Sequence, residues 1–525
     1  MPSRLPRTTL GLFLVFQGFF ALTSSGNAFR VPDEFEVYFQ TEHLIDAGDL
    51  SIPQTLALRQ PVIVNGQVVG TQSIFFGKVG RDGKPYAPYG PLTAFLALPH
   101  HLLGRAVAWA AGVPRTSGVP WTFLVGGITT LSSATAAALA VAGFHRAALA
   151  AGATSAGALL WSFLLGGTTV LWPYGSTLYS EAWQAAAFIW AAACLLEART
   201  DERIAPRNVA IAAILLAAAV LTKPTSIVFA PGFLVAPLSD VERPLLARLK
   251  VAFLLSCGIG AAALIHLGWN IYRFGALFDL GYDWAETIPV LPARPFALAD
   301  LPRGLVVLLL SPGKSLFLWA PALLFSLVAA REFLARHRGA ALGVVTTSAV
   351  GLLLFAAYQF PEGGYAHGPR HLVPIVPLLL LPGAASRVRW SRAALGGCAA
   401  VGLTVAVLAA SVSFLEDQSL GGDLGAGAQT AYYERIDPAA GRPWNRYRLD
   451  YLPFVDTIRS PQWRHATTLG QGPDFFPLHL LQLKASPGGT VIAPGLIYAW
   501  PLVWLVLLAG AVPLVFARPS VDGFQ

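Results

Sequence analysis

Charge is what this chain has least of: 12% of its 525 residues are Asp, Glu, Lys or Arg, against 55% hydrophobic. That balance excludes a soluble multidomain protein, whose surface needs about a quarter of its residues charged. Cysteine is almost absent, and Cys194, Cys257 and Cys398 each lie in an apolar run without CxxC or metal-ligand spacing, so a disulfide framework or thiol chemistry has no support. No HExxH, paired CxxC or GxSxG occurs either, which removes zinc-protease and serine-hydrolase readings. The formal charge of +8 is spread in short clusters between apolar runs, so it does not form a nucleic-acid face and reads as membrane topology. Lysine occurs only six times, and where those six stand becomes informative.

What is present is a series of apolar runs of roughly the 17 to 25 residues that cross a bilayer. They fall near 8–24, 119–142, 152–171, 181–197, 207–222, 225–239, 248–271, 304–330, 340–360, 371–386, 392–414 and 495–517. The first, after the basic start MPSRLPR, is read as a retained helix instead of a cleaved signal because so many spans follow. The apolar stretch from Pro88 to Gly104 is the ambiguous one. If it does not cross, HRAALAAGATS, EARTDERIAPR, DVERPLLARLK, REFLARHRGA and SRVRWSR all lie on the N-terminal side, which the loop-charge rule makes cytoplasmic. The expectation is therefore an all-α polytopic protein of about twelve transmembrane helices, with Pro88 to Gly104 lying on the outer face. The domain expectation is a transmembrane unit over 1–414, with a large outer loop at 25–118, then an outer region at 415–494 and a last span at 495–517.

The outer connections collect carboxylates, aromatics and isolated cations. Lys78, Lys84, Lys223, Lys314 and Lys484 all fall there or at an outer helix end, against the positive-inside bias, and an unexpected cation needs an anion. In RVPDEFEVYFQTEHLIDAGDLSI, the spacing of Phe35, Tyr38, Phe39 and Ile45 predicts an amphipathic helix along the membrane, opening with Asp33 and Glu34. One reading of its acids is structural: Asp33 caps the helix and Glu36 reaches back in a capping box. PVIVNGQVVG predicts a hairpin with an Asn65-Gly66 turn, and RDGKPY a second turn. Glu181, Lys223, Lys314 and Arg370 lie at outer helix ends, where each could snorkel singly but together could line a membrane-level cavity. SPGKS lacks the spacing of a phosphate-binding P-loop.

In order along the chain, PDEFEVYFQTEHLIDAGDLSIP, GRDGKPYAPYGPLTAFLALP, LWPYGSTLYSEAW, NIYRFGALFDLGY, LLLSPGKSLFLWAPALL and GGYAHGPRHLVPIVPLLLLP resemble segments of bacterial polyprenyl-phosphate-dependent glycosyltransferases of the GT-C fold. Protein O-mannosyltransferases and aminoarabinose transferases are of this kind. The resemblance implies inverting transfer of a sugar from a polyprenyl-phosphate donor to an acceptor hydroxyl of a glycan, lipid or protein, on the outer face of the cytoplasmic membrane. It implies catalytic roles for Asp33, Glu34 and Glu181, with Asp33 the general base and Glu181 orienting the acceptor or, as in some relatives, helping to hold a divalent ion. Arg370, Lys314 and Lys223 are the implied donor-phosphate ligands, and Tyr89, Tyr179 and His367 the implied sugar or acceptor contacts. Such chemistry needs a base on the acceptor and cations on the departing phosphate. Two other classes also place charge in a membrane cavity. A lipid-linked-oligosaccharide flippase or other transporter is disfavoured by the lack of an internal repeat, while an O-antigen ligase-like polymerase differs mainly in its donor.

Overall fold

The computed structural model describes residues 7–25, 32–52, 56–64, 67–75, 77–200, 205–281, 296–311, 313–358, 361, 363, 366–411, 475–478, 480 and 494–516. Helices α1 (Arg7–Leu22) and α2 (Pro32–Asp46) precede the hairpin β1 (Leu56–Val64) and β2 (Gln67–Phe75), the short pair β3 (Lys78–Val79) and β4 (Pro85–Tyr86), and α3 (Leu92–Ala110). The middle of the chain forms α4 (Val119–Thr129), α5 (Leu131–Ala150), α6 (Ser155–Thr168), α7 (Leu171–Gly175), α8 (Glu181–Thr200), α9 (Ala205–Thr222), α10 (Ala230–Leu238) and α11 (Leu245–Phe274). It closes with α12 (Leu301–Leu310), α13 (Leu316–Trp319), α14 (Leu323–Arg336), α15 (Arg338–Ala356), α16 (Val376–Ala385), α17 (Arg392–Ser411) and α18 (Pro494–Phe516).

Six described helices are long and apolar enough to cross a membrane: Pro120–Ala150, Ala205–Thr222, Leu245–Phe274, Arg338–Ala356, Arg392–Ser411 and Tyr498–Phe516. Four shorter apolar helices accompany them, and the chain is a multi-pass membrane protein. Some predicted spans are interrupted. The run at 304–330 divides into α12, α13 and α14, and the run at 225–239 begins as a 3-10 turn (Pro224–Phe229) before α10. Pro224 and Pro321 stand at these interruptions, where the missing N–H breaks a continuous helix. Helix α3 extends beyond the predicted segment and is not among the six; its Trp109 is 83% exposed.

Small residues let the central helices approach. Ser132, Ser133, Ala136 and Ala140 of α5 are buried, and α5 packs against α8 along its length, as membrane helices do where backbones must come close. The hairpin pairs Val64 with Gln67 as the sequence pattern predicts, with a register shift between Val62 and Ile63; its turn at 65–66 lies outside the described residues. RDGKPY forms the second turn, with Gly83 at φ 79° and Gly80 N–H donating to Lys84 O at 2.7 Å.

Helix α2 lies beside α3 and is fastened there by charge. Asp46 accepts from Arg105 at 2.9 Å and pairs with Arg115 at 2.7 Å, while Lys84 reaches Asp49 at 2.6 Å. Arg273, buried at the end of α11, donates to Ala87 O and, at 2.8 Å, to Asn270 Oδ1. These contacts tie the segment after α2 to α3 and to the end of α11. The expected outer region at 415–494 falls almost entirely outside the described residues, apart from a turn near Phe476 that packs on Trp500.

Candidate active site

Four charged side chains from four separate elements meet at one end of the bundle. Helix α2 starts at Pro32, whose fixed φ suits a first helical position, and its first turn carries Asp33 and Glu34 where the helix dipole favours acids. Glu181 opens α8 in the same way. Lys223 follows the last turn of α9 and is forced into extended backbone (φ −147°, ψ 120°) by the proline behind it. Arg370 begins a 3-10 turn after Gly368, whose φ of 59° suits glycine and whose missing Cβ leaves room for the Trp319 ring.

Arg370 is the bridge. Its Nη2 donates to Asp33 Oδ1 at 2.7 Å and its Nε to Glu181 Oε1 at 2.8 Å. Lys223 Nζ donates to the same Glu181 oxygen at 2.7 Å. The Tyr179 ring lies under the guanidinium, 4.1 Å from its carbon. Two carboxylates thus face two cations, and charges withdrawn from water persist only when matched in this way. Glu181 Oε2 is buried and has no hydrogen-bond partner among the described residues, so one acceptor lone-pair site stays open inside the cluster.

Asp33 is the most accessible member, its side chain 26% exposed against 9% for Arg370 and 1% for Glu181. Its carboxylate also accepts from the Tyr89 hydroxyl. Burial pushes the Asp33 pKa up, but the Arg370 charge and hydrogen bond, the Tyr89 hydroxyl and the Lys223 charge together hold it below the usual carboxylate range. Glu36, one turn along the same face, behaves oppositely. Burial and then the Asp33 charge drive its pKa well above the usual range, despite hydrogen bonds from the Gly77 N–H and with Tyr89. The expected capping box does not form: Asp33 turns to Arg370 and Tyr89, and Glu36 to Gly77 and Tyr89.

The other sequence candidates occupy the surrounding shell. Glu34, fully buried, accepts from the Leu178 N–H at 2.8 Å, which fixes α2 to the turn carrying Tyr179. Lys314 donates to the Ala366 carbonyl. His367 lies 5.9 Å from the Trp319 ring, and its carbonyl accepts from Tyr174 at 3.0 Å. Of the lysines expected on the outer side, Lys78 finds Asp279, Lys84 finds Asp49 and Lys223 finds Glu181; Lys484 lies outside the described residues.

Sequence reading passed over a second link between the same elements. Ser226 donates to Gln184 Oε1 at 2.8 Å, and these residues stand three after Lys223 and three after Glu181. The equal spacing in TKPTS and SEAWQ was its only signal. Gly90 was equally silent: a Cβ there would come within 1.9 Å of Leu221 O, so glycine lets the start of α3 seat on the end of α9. Thr93 completes that seat by donating to Thr222 O at 2.9 Å.

Among the described residues no three His, Cys, Asp or Glu side chains group to hold a metal, and Glu181 already meets two cations.

No protein-family model matches the chain, and no curated protein matches it by sequence. Two solved structures are similar to it, both crystal structures of ArnT from Cupriavidus metallidurans, one in the apo state and one bound to undecaprenyl phosphate. Each is 13% identical and covers 97% of this chain; the apo structure aligns over 75% of its own length with a TM-score of 0.47, the bound one over 76% with 0.49.

Proposed function

We propose that this protein is a membrane glycosyltransferase of the GT-C type, moving a sugar from a polyprenyl-phosphate donor to an acceptor hydroxyl with inversion at the anomeric carbon, on the outer face of the cytoplasmic membrane. The observation that carries the reading is the Arg370 bridge between Asp33 and Glu181, with Lys223 beside it. A departing lipid phosphate needs preorganised positive charge, and the attacking hydroxyl needs a carboxylate to take its proton.

The order of events follows from who holds whom. In the resting cluster Arg370 Nη2 is occupied by Asp33. A donor phosphate that takes a forked contact with the guanidinium competes for that nitrogen, since arginine matches phosphate oxygens two at a time. Asp33 is then released from the cation that depresses its pKa and becomes a stronger base as the donor arrives. Glu181 stays with Lys223 and Arg370 Nε, holding both cations toward the phosphate, and its open Oε2 accepts a hydroxyl of sugar or acceptor. Tyr89 keeps Asp33 oriented. Lys314 and His367 act through the loop they brace, and Glu34 through the Leu178 amide, so we assign those three to positioning.

The test has two parts. Purified protein should bind a polyprenyl phosphate with an affinity that falls in the Arg370→Ala variant. A deletion strain should lose a sugar from its surface glycans, lipids or proteins and accumulate the lipid-linked form, both read by mass spectrometry. Unchanged surface sugars and unchanged lipid-linked sugars would refute the proposal.

A further inference from the structure

At the far end of α8 from the cluster, the helices part into an open crevice. Glu181 is the first residue of α8 and Arg199 the nineteenth, so the two sites are separated by about 27 Å of helix at 1.5 Å per residue. The walls are apolar, formed by residues such as Leu195, Phe233, Val344 and Leu381. Gly339, Gly343 and Thr347 line it along α15, the first and last eight positions apart, which gives a depth of about 12 Å. One leaflet of bilayer hydrocarbon is about 15 Å thick, half of the roughly 30 Å core.

The mouth is basic. Arg199, Arg243 and Arg248 line it with one carboxylate, Asp240. Arg199 pairs with Asp240 at 3.2 Å and with Glu242, and Arg243 donates to Ala198 O while reaching Asp240 only at 3.8 Å. Arg248 has no carboxylate partner among the described residues. It donates to Leu238 O at 2.9 Å, and its Nε is buried without a hydrogen-bond partner. An apolar slot of leaflet depth under an unpaired guanidinium matches one ligand chemistry, an acyl chain attached to a phosphate, and basic pockets between membrane helices take anionic headgroups by this complementarity.

We propose that this crevice binds one anionic phospholipid of the leaflet opposite the Asp33 cluster, with its phosphate on Arg248 and one acyl chain between α8, α10 and α15. The site is separate from that of the lipid-linked donor and does not depend on the function assigned above. A phospholipid there wedges α10 and α15 against α8 and so supports, from below, the helix that presents Glu181.

The experiment uses delipidated full-length protein in mild detergent, titrated with phosphatidylglycerol or phosphatidylcholine of identical chains, with bound lipid counted by native mass spectrometry. One phosphatidylglycerol should be retained at least tenfold more tightly than phosphatidylcholine. Arg248→Gln should bring phosphatidylglycerol down to the phosphatidylcholine level, Val344→Phe should weaken both lipids by filling the slot, and added undecaprenyl phosphate should leave phosphatidylglycerol in place. Equal retention of the two lipids by the wild type, undiminished phosphatidylglycerol binding in Arg248→Gln, or displacement by undecaprenyl phosphate would each overturn the proposal. If Val344→Phe fails to fold, the wild-type comparison and the half-buried Arg248 position still decide.

Discussion

Asparagine at position 33 separates the two jobs assigned to that carboxylate. It keeps the size of aspartate and can still accept from the Tyr89 hydroxyl, but it cannot take a proton from an acceptor. It also removes one negative charge from a cluster in which Asp33 and Glu181 balance Arg370 and Lys223. Removing one partner of a buried pair costs roughly 3–5 kcal/mol. The Asp33 side chain is 26% exposed, so water screens part of this and about 1.5–3 kcal/mol is expected. The resting variant is therefore less stable and carries an unmatched guanidinium. A phosphate is the ligand that repairs the mismatch, so polyprenyl-phosphate affinity should rise by about tenfold, equivalent to about 1.4 kcal/mol. Transfer should fall by roughly 10²- to 10⁴-fold, the usual cost of a lost general base.

The two changes have opposite signs, and that opposition is the test. Binding is measured on purified protein with labelled polyprenyl phosphate, and transfer as sugar incorporation in a deletion strain expressing each variant at matched levels. Wild-type transfer in Asp33→Asn would remove the base assignment. Weaker lipid-phosphate binding in the variant would refute the competition between donor and Asp33 for Arg370, even if transfer were lost.

Three other expectations follow from the same geometry. Arg370→Lys keeps the charge but cannot reach Asp33 and Glu181 together through a planar fork, so transfer should drop at least a hundredfold while thermal stability changes little; near-normal transfer would leave Arg370 as a helix-end charge. Glu36 has a raised folded-state pKa, so the unfolded chain gives up that proton first and stability falls as pH rises from about 4.3; melting curves should show Glu36→Gln matching the wild type below that pH and exceeding it above, with transfer intact, whereas a difference that shrinks with rising pH would contradict the sign. Cysteines introduced at Gly152 and Arg389 of a cysteine-free chain should react only from the cytoplasmic side of intact cells, and labelling from outside would invert the proposed topology and the face of the site.

Much of the site could be read because membrane burial leaves charges few places to stand. Asp33, Glu181, Lys223 and Arg370 were conspicuous for sitting at helix ends on one predicted face, and the structure gathers those four. Their pairing was not legible. The Arg370 bonds cross 337 residues to Asp33 and 189 to Glu181, and no local pattern encodes contacts of that range. Glu36 misled for a related reason: its position three residues after Asp33 suits a capping box, but packing against Gly77 and Tyr89 turns its carboxyl inward. The run at 304–330 read as one span because hydropathy averages over the prolines that divide it.

Each of the four charges sits beside a break or a start in helix: Asp33 in a first turn, Glu181 opening α8, Lys223 before Pro224, Arg370 after Gly368 and Pro369. Helix ends offer backbone N–H groups and dipoles that partly solvate charge where water is scarce, so they are the least costly membrane positions for ionised groups. They are also the positions that move when helices shift. With one residue per element, the cluster closes only when α2, α8, the end of α9 and the turn at Arg370 are packed together, and a donor phosphate that exchanges for Asp33 on Arg370 changes how α2 is held to the rest. Helix α2 retains independent anchors at Asp46 and Glu34, so on this proposal the exchange would free the Asp33 side chain without releasing the helix. On the proposed reading the base would be uncovered in place, and its side chain is 26% exposed already at rest.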